Sequence, residues 1–129
     1  SEELMKYKKK IKSLVNSFGY AFQGIWSSFK SERNMKIHVF IMILVVLLGI
    51  FLHISVTEWM ICVILFALVI GAELFNTSIE AVVDMISLEK SSQAKLAKDV
   101  SAGAVLVFAI ASIIVGFLIF VPKIIDVLV

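Results

Sequence analysis

The chain has 129 residues, of which 60% are hydrophobic and 17% are charged, and its formal net charge is +2. Soluble domains are roughly 45–50% apolar and about 25% charged, so this composition argues against a soluble globular protein. The small positive excess also excludes the strongly basic surface that nucleic-acid binding requires. With one proline, six glycines and one cysteine, the composition predicts a single all-α integral membrane unit without disulfides.

The N-terminal segment is predicted to be an amphipathic helix. Apolar residues recur at three- and four-residue steps from Ile11 to Phe29, while Lys12, Asn16 and other polar residues fall between them. Lysines at its start and Trp26 on its apolar face are typical of a helix that lies in the membrane interface. We therefore expect residues 1–34 to form a cytoplasmic surface helix and a link. This helix could cover a site at the cytoplasmic face of the membrane. The alternative is that it serves only as a membrane anchor.

Three further segments, at residues 36–56, 58–88 and 95–121, are predicted to cross the membrane. About 20 apolar residues cross a hydrocarbon core, and the first and third segments contain uncharged stretches of that length. The middle segment has a shorter uncharged stretch, but its helical pattern continues for about 30 residues, or roughly 45 Å. It can therefore cross the membrane and project beyond it. The short link at residues 53–57 predicts a tight hairpin turn.

Basic residues are distributed unequally along the chain. Eleven of the twelve Lys and Arg residues precede the uncharged stretch of the first span or lie between those of the second and third, and only Lys123 falls on the other side. Cytoplasmic loops are enriched in Lys and Arg. We therefore expect the N-terminus and the loop at residues 89–99 to be cytoplasmic.

The second span carries a polar stripe formed by Glu73, Asn76, Glu80 and Asp84. Their three- and four-residue steps place them within roughly 80° on one helix face. Glu73 lies about 21 Å along the helix axis from Trp59, and Glu80 about 31 Å, so the stripe extends from the inner leaflet to the cytoplasmic surface. Ionisable groups at such depth are functional candidates. The structural alternative is a hydrogen-bond network that holds helices together.

Carboxylates at a membrane interface suit Mg²⁺, which proteins hold through one or two carboxylates together with substrate phosphates and water. Soluble nucleotides and lipid head groups meet at this surface, so phosphoryl transfer to a lipid hydroxyl fits the stripe. Glu73 lies deeper than its companions and is the candidate proton acceptor. Other charged and polar side chains are expected at the same membrane level: Glu32, Arg33, Asn34, Lys98 and Asp99.

Two other classes of function also fit a buried glutamate. A small proton-coupled transporter needs an acidic residue within the membrane, but it should line a path to both faces. The outer half of the second span, Trp59 to Ile70, offers only Cys62 as a weakly polar side chain. A purely structural membrane subunit is the third possibility.

Three motifs resemble the prokaryotic diacylglycerol kinases, most closely their Gram-positive branch, the undecaprenol kinases. The motifs are Glu73-Leu-Phe-Asn-Thr-Ser-Ile-Glu80-Ala-Val-Val-Asp84, Ala97-Lys98-Asp99-Val-Ser-Ala-Gly-Ala-Val and Ser31-Glu32-Arg33-Asn34. The likeness extends from Ser17 to Lys123. It implies a homotrimer in the bacterial plasma membrane, in which each chain supplies a surface helix and three transmembrane helices. The implied activity is ATP-dependent phosphorylation of undecaprenol, with diacylglycerol as the alternative substrate.

The resemblance also implies roles for the acidic residues. Glu73 would take the proton of the lipid hydroxyl, with Asn76 as its close partner. Glu32 and Glu80 would bind the Mg²⁺ that bridges the ATP phosphates. The active sites would be shared between neighbouring protomers, which explains how a small chain encloses a polar stripe.

The remaining assignments concern the nucleotide. By the same resemblance, Lys98 would contact the ATP phosphates and Asp99 the other end of the nucleotide, while Asp84 would support the cluster. Tyr20 and Gly24 on the surface helix also fit nucleotide binding.

The surface helix departs from the family pattern at two positions. Ser13 and Asn16 stand where family members often carry basic residues. Either Lys12 substitutes from a neighbouring position or this phosphate contact is missing.

Overall fold

The computed structural model describes residues 1–87 and 89–129, and this part of the chain forms four α-helices. The helices are α1 (Glu2–Ser31), α2 (Arg33–Phe51), α3 (Val56–Ile86) and α4 (Ser92–Leu128). Three of them, α2, α3 and α4, are long and apolar enough to cross a membrane. The predicted all-helical class is confirmed, and the architecture fits a multi-pass membrane protein. The predicted end of the second span at residue 88 lies outside the described residues.

A single residue separates α1 from α2. Glu32 has an extended backbone (φ −102°, ψ 118°), and its N–H donates to the Ser28 carbonyl at 2.9 Å. Apolar side chains of α1, including Phe18 and Phe22, are exposed in the isolated chain. Such an uncovered apolar face suits a helix that lies on a bilayer.

The turn between α2 and α3 begins where α2 ends at Phe51, earlier than residue 56, the predicted end of the first span. The Ile54 N–H donates to the Gly49 carbonyl at 3.2 Å, and the His53 N–H donates to the Ile50 carbonyl at 3.3 Å. His53 has a positive φ of 54°. These bonds form a Schellman motif, which satisfies the last carbonyls of the helix. Hydropathy missed this end because the turn itself is uncharged.

Capping and an ion pair fix the start of α3. The Ser55 hydroxyl accepts from the Glu58 N–H at 3.1 Å, and Glu58 Oε1 accepts from the Ser55 N–H at 2.9 Å. The same carboxylate oxygen lies 3.1 Å from Lys123 Nζ on α4. α4 continues through Pro122 to Leu128, beyond the predicted end at residue 121. A proline removes one backbone hydrogen bond, and here the helix continues past it.

The ends of α2, α3 and α4 next to this turn share a small apolar core. Ile54, Cys62, Ile119 and Phe120 are buried there, with several partly buried side chains around them. The Trp59 indole fills the space that a side chain at Gly49 would occupy. A Cβ atom at Gly49 would lie 2.7 Å from Trp59 Cη2 and 3.1 Å from Ile54 Cδ1. Glycine is therefore required for this close packing.

Replacement of Gly49 by Ala is expected to lower the free energy of unfolding by about 1–3 kcal/mol, because the indole must move to admit the methyl group. Thermal unfolding in detergent would measure the change. Gly19→Ala is the matched control, since no described atom beyond its chain neighbours and the adjoining backbone of α1 lies within 4 Å of a Cβ at that position. That control should gain up to about 1 kcal/mol from helix propensity. An unchanged unfolding temperature for Gly49→Ala would contradict the packing argument.

Candidate active site

Glu73 is the most deeply buried polar side chain of α3. It is 1% exposed, and Val69, Ala72 and Asn76 are buried on the same inward face of the helix. Within the described part of the chain, neither carboxylate oxygen of Glu73 accepts a hydrogen bond. Burying an ionisable group without hydrogen bonds is costly, so such a group is a functional candidate rather than a stabilising one. The structure therefore places an unsatisfied carboxylate where the polar stripe begins.

A cavity of about 280 Å³ lies beside Glu73 and is bounded by α2, α3 and α4. Its polar lining comes from α2 and α3, through Asn34, His38, Glu73 and Asn76. The wall formed by α4 is apolar and consists of Ala102, Val105, Leu106 and Ala109. The cavity thus has a carboxylate on one side and hydrocarbon on the other, which suits the hydroxyl end of an amphiphile.

His38 is a component of this site that the sequence analysis did not assign. Its Nε2 atom lies 3.6 Å from Glu73 Oε2, beyond hydrogen-bond distance but in direct proximity. Asn34 and His38 are four residues apart and therefore lie on the same face of α2. This polar pair on one face of α2, next to its long apolar stretch, was the available signal. An isolated histidine at a membrane interface has no such implication by itself.

Asn76 and Glu80 continue the stripe from Glu73 toward the end of α3. The Asn76 amide Nδ2 donates to Glu80 Oε1 at 3.3 Å. Asn76 is buried, and among the described residues its Oδ1 has no hydrogen-bond partner. Glu80 is half-buried. Asn76 therefore orients a more accessible carboxylate while presenting its own free oxygen inside the site.

Glu32 also approaches the stripe, although it lies between α1 and α2. Both Glu32 and Glu80 are close enough to Glu73 to interact with it electrostatically. Across residues 1–87 and 89–129, no three His, Cys, Asp or Glu side chains are arranged to hold a metal ion by themselves. Two hard carboxylate donors nevertheless match Mg²⁺, which completes its coordination with water and substrate phosphates.

Two surface ion pairs occupy the region where α3 leads to α4. Lys98 Nζ lies 2.6 Å from Asp84 Oδ1, and Lys95 Nζ lies 2.5 Å from Asp99 Oδ2. All four residues line a cavity of about 580 Å³. Exposed ion pairs of this kind contribute little to stability, so each residue can leave its partner and bind another charged group at a small cost in free energy.

Within one chain, Tyr20 and Gly24 do not belong to the group of residues around Glu73. Tyr20 is 67% exposed, and no described atom beyond the chain neighbours of Gly24 and the adjoining backbone of α1 lies within 4 Å of a Cβ built at Gly24. Neither residue lines the cavity beside Glu73. α1 instead approaches α3 through its C-terminal part, where the Ser28 and Thr77 hydroxyl oxygens are 3.4 Å apart.

The Thr77 contact connects the surface helix to the backbone at Glu73. The Thr77 hydroxyl donates to the Glu73 carbonyl at 3.0 Å. The buried Ser28 hydroxyl therefore lies next to a group that is itself bonded to the Glu73 peptide. This short chain of hydroxyls fixes the C-terminal end of α1 against the polar part of α3.

Comparison with known proteins identifies the family. Residues 19–120 match the prokaryotic diacylglycerol kinase family, and this range includes every candidate site residue. An undecaprenol kinase from Bacillus subtilis (strain 168) is 40% identical over 117 residues, covering 91% of this chain and 95% of the relative. A diacylglycerol kinase from Synechocystis sp. is 36% identical over 118 residues, covering 91% and 67%. A diacylglycerol kinase from Pseudomonas aeruginosa is 34% identical over 96 residues, covering 73% and 76%. The resemblance carried by the three motifs is confirmed, and the chain belongs to the prokaryotic diacylglycerol kinase family of membrane lipid kinases.

Proposed function

We propose that this protein phosphorylates undecaprenol to undecaprenyl phosphate, using ATP, at the cytoplasmic face of the bacterial plasma membrane. The observation that carries the proposal is the buried carboxylate of Glu73 beside a cavity with one apolar wall. A polyprenol is hydrocarbon up to its hydroxyl, so it places no polar ester groups against that wall, where they would lack hydrogen-bond partners. The similarity to a protein named undecaprenol kinase supports this substrate. Diacylglycerol is the second candidate, because two other relatives are named diacylglycerol kinases.

In the proposed reaction, Glu73 accepts the proton of the lipid hydroxyl. The lipid oxygen forms a bond to the γ-phosphorus of ATP, the bond from that phosphorus to the β,γ-bridging oxygen breaks, and ADP leaves. Asn76 is the close partner of Glu73 and keeps Glu80 oriented through its amide. Most of the remaining rate enhancement comes from positioning and charge neutralisation, as in other phosphoryl transfers.

We infer that Glu32 and Glu80 would hold Mg²⁺ together with the ATP phosphates. When bound, Mg²⁺ supplies neutralisation of the charge on the phosphate oxygens. Two features of the chain support this assignment. One oxygen of Glu80 is held by Asn76, and Glu32 makes no side-chain capping bond to α2 within the described residues. Both carboxylates therefore retain acceptor capacity for a hard cation.

We further infer that Lys98 contacts the ATP phosphates, with Asp99 at the other end of the nucleotide and Asp84 as support. Lys98 pairs with Asp84 at 2.6 Å. A triphosphate carries more charge than one carboxylate, so it competes for this lysine. Asp84 then acts as a holding partner that keeps Lys98 near the site before ATP binds.

Lys98→Ala is expected to raise the KM for ATP by roughly 10–100-fold, because the substitution removes one charge-assisted hydrogen bond to the phosphates. The KM for the lipid should stay within about twofold, since the lipid cavity does not include this residue. Steady-state kinetics with each substrate varied would measure both values. Lys123→Ala is the matched control, because Lys123 pairs with Glu58 near the other end of α4. An unchanged KM for ATP in Lys98→Ala would contradict the assignment.

We also propose a homotrimer with shared active sites and a cytoplasmic N-terminus. The orientation is supported by eleven of the twelve basic residues falling on one side of the predicted spans. The oligomer is supported by Tyr20 and Gly24, which lie away from the Glu73 cavity within one chain. A neighbouring protomer would bring its surface helix to the site. Native mass spectrometry of the detergent-solubilised protein should therefore give the mass of three chains.

To test the substrate, purified protein is incubated with radiolabelled ATP and either undecaprenol or diacylglycerol, in separate reactions. We expect transfer of the γ-phosphate to undecaprenol at the higher kcat/KM. A preference for diacylglycerol would replace the first substrate by the second. The same samples without lipid measure background ATP hydrolysis.

A further inference from the structure

Among the described residues that line the Glu73 cavity, His38 is the one titratable side chain to which the proposed reaction assigns no role. It is on α2, whereas Glu73 is on α3, and the two side chains meet with His38 Nε2 at 3.6 Å from Glu73 Oε2. The imidazole is 19% exposed and the carboxylate 1%. His38 is therefore the more accessible of the two side chains.

The surroundings of Glu73 leave few groups that can restrain its carboxylate. Neither oxygen accepts a hydrogen bond from the described residues, and the α4 wall of the cavity is apolar. Asn76 directs its amide N–H₂ group to Glu80 instead. An approach of a few tenths of an ångström would bring His38 Nε2–H within hydrogen-bond distance of Oε2. That contact would leave Oε1 free for the proton of the lipid hydroxyl.

We propose that His38 is a positioning residue for Glu73. Its Nε2–H fixes Oε2, so that Oε1 is presented to the substrate, and it stabilises the carboxylate in a site of low dielectric. The proposal rests on the proposed role of Glu73 as the proton acceptor. The neighbouring Asn34, one helical turn before His38, completes the polar edge of the cavity on α2.

The test compares His38→Ala and His38→Gln with the wild-type protein. His38→Ala should lower kcat by about 10–100-fold, because a carboxylate displaced by about 1 Å transfers protons poorly. The KM for ATP should stay within about twofold. His38→Gln, whose Nε2 can donate from a similar position, should recover most of the lost kcat. The matched control is His53→Asn at the exposed turn after α2, where asparagine tolerates the positive φ; its kinetics should equal those of the wild type.

A double-mutant cycle with Glu73→Asp separates positioning from general destabilisation. Aspartate withdraws the carboxylate from His38 and lowers kcat by itself, so the added effect of His38→Ala should fall below about threefold. Equal and additive effects in both backgrounds would overturn the proposal. A wild-type kcat in His38→Ala, or equal losses in His38→Ala and His38→Gln, would also overturn it.

Failure of this inference is distinguishable from failure of the proposed function. An active wild type with a strongly impaired Glu73→Gln variant supports Glu73 as the base, and the His38 variants then decide the positioning role alone. If Glu73→Gln, which cannot accept the proton, retains the wild-type kcat, the assignment of the base is wrong and the His38 proposal fails with it. Thermal unfolding of each variant provides the check on folding.

Discussion

Glu73→Gln is expected to lower kcat for lipid phosphorylation by roughly 10²–10⁴-fold, the usual contribution of a general base. Glutamine has nearly the same size as glutamate, but its amide cannot accept the proton of the lipid hydroxyl. The protein should remain folded and inserted, because a neutral amide costs less than a carboxylate at a buried position within the membrane. Phosphate transfer from radiolabelled ATP to lipid would measure kcat, and thermal unfolding would measure stability.

The control for this variant is Asp126→Asn, which makes the same acid-to-amide change on an exposed position near the end of α4. Its turnover should equal that of the wild type. Retained turnover in Glu73→Gln would show that another group accepts the proton. A loss of folded protein in Glu73→Gln would instead indicate that the carboxylate is a structural partner for His38.

Glu80→Ala and Glu32→Ala are each expected to raise the apparent Mg²⁺ requirement by more than about 100-fold. Changes to groups that merely orient metal ligands cost about 10–100-fold in metal affinity, so loss of a ligand should cost at least as much. The Mg²⁺ dependence of kcat/KM at fixed ATP would measure the effect. High Mg²⁺ concentrations should restore part of the activity, since the other carboxylate and the phosphates remain.

Asp126→Ala is the matched control for the two glutamate variants. It removes one exposed carboxylate near the end of α4, so its Mg²⁺ dependence should follow that of the wild type. An unchanged Mg²⁺ dependence in Glu80→Ala or Glu32→Ala would remove that residue as a ligand. Removal of Mg²⁺ by a chelator should abolish lipid phosphorylation by the wild-type protein, because the charge of the triphosphate would then be unneutralised.

Much of the fold was predictable because hydropathy and helical periodicity are local properties. A long apolar stretch reports a favourable transfer into hydrocarbon whatever its neighbours are, and α2, α3 and α4 all contain such stretches. The ends of the helices were less predictable. α2 ends at Phe51 because His53 adopts a left-handed conformation that completes a Schellman motif. That choice depends on backbone hydrogen bonds which hydropathy does not register.

Some features of the candidate site were likewise predictable from the sequence, and others were not. By itself, the sequence determined the polar stripe, because Glu73, Asn76 and Glu80 lie on one helix and their spacing alone places them on one face. The motifs in which they stand also identified the family. Only the tertiary structure decided that His38 faces Glu73 and that Lys98 meets Asp84. Contacts between helices depend on how the helices are rotated and shifted as they pack, and the periodicity of a single helix contains no information about its neighbour.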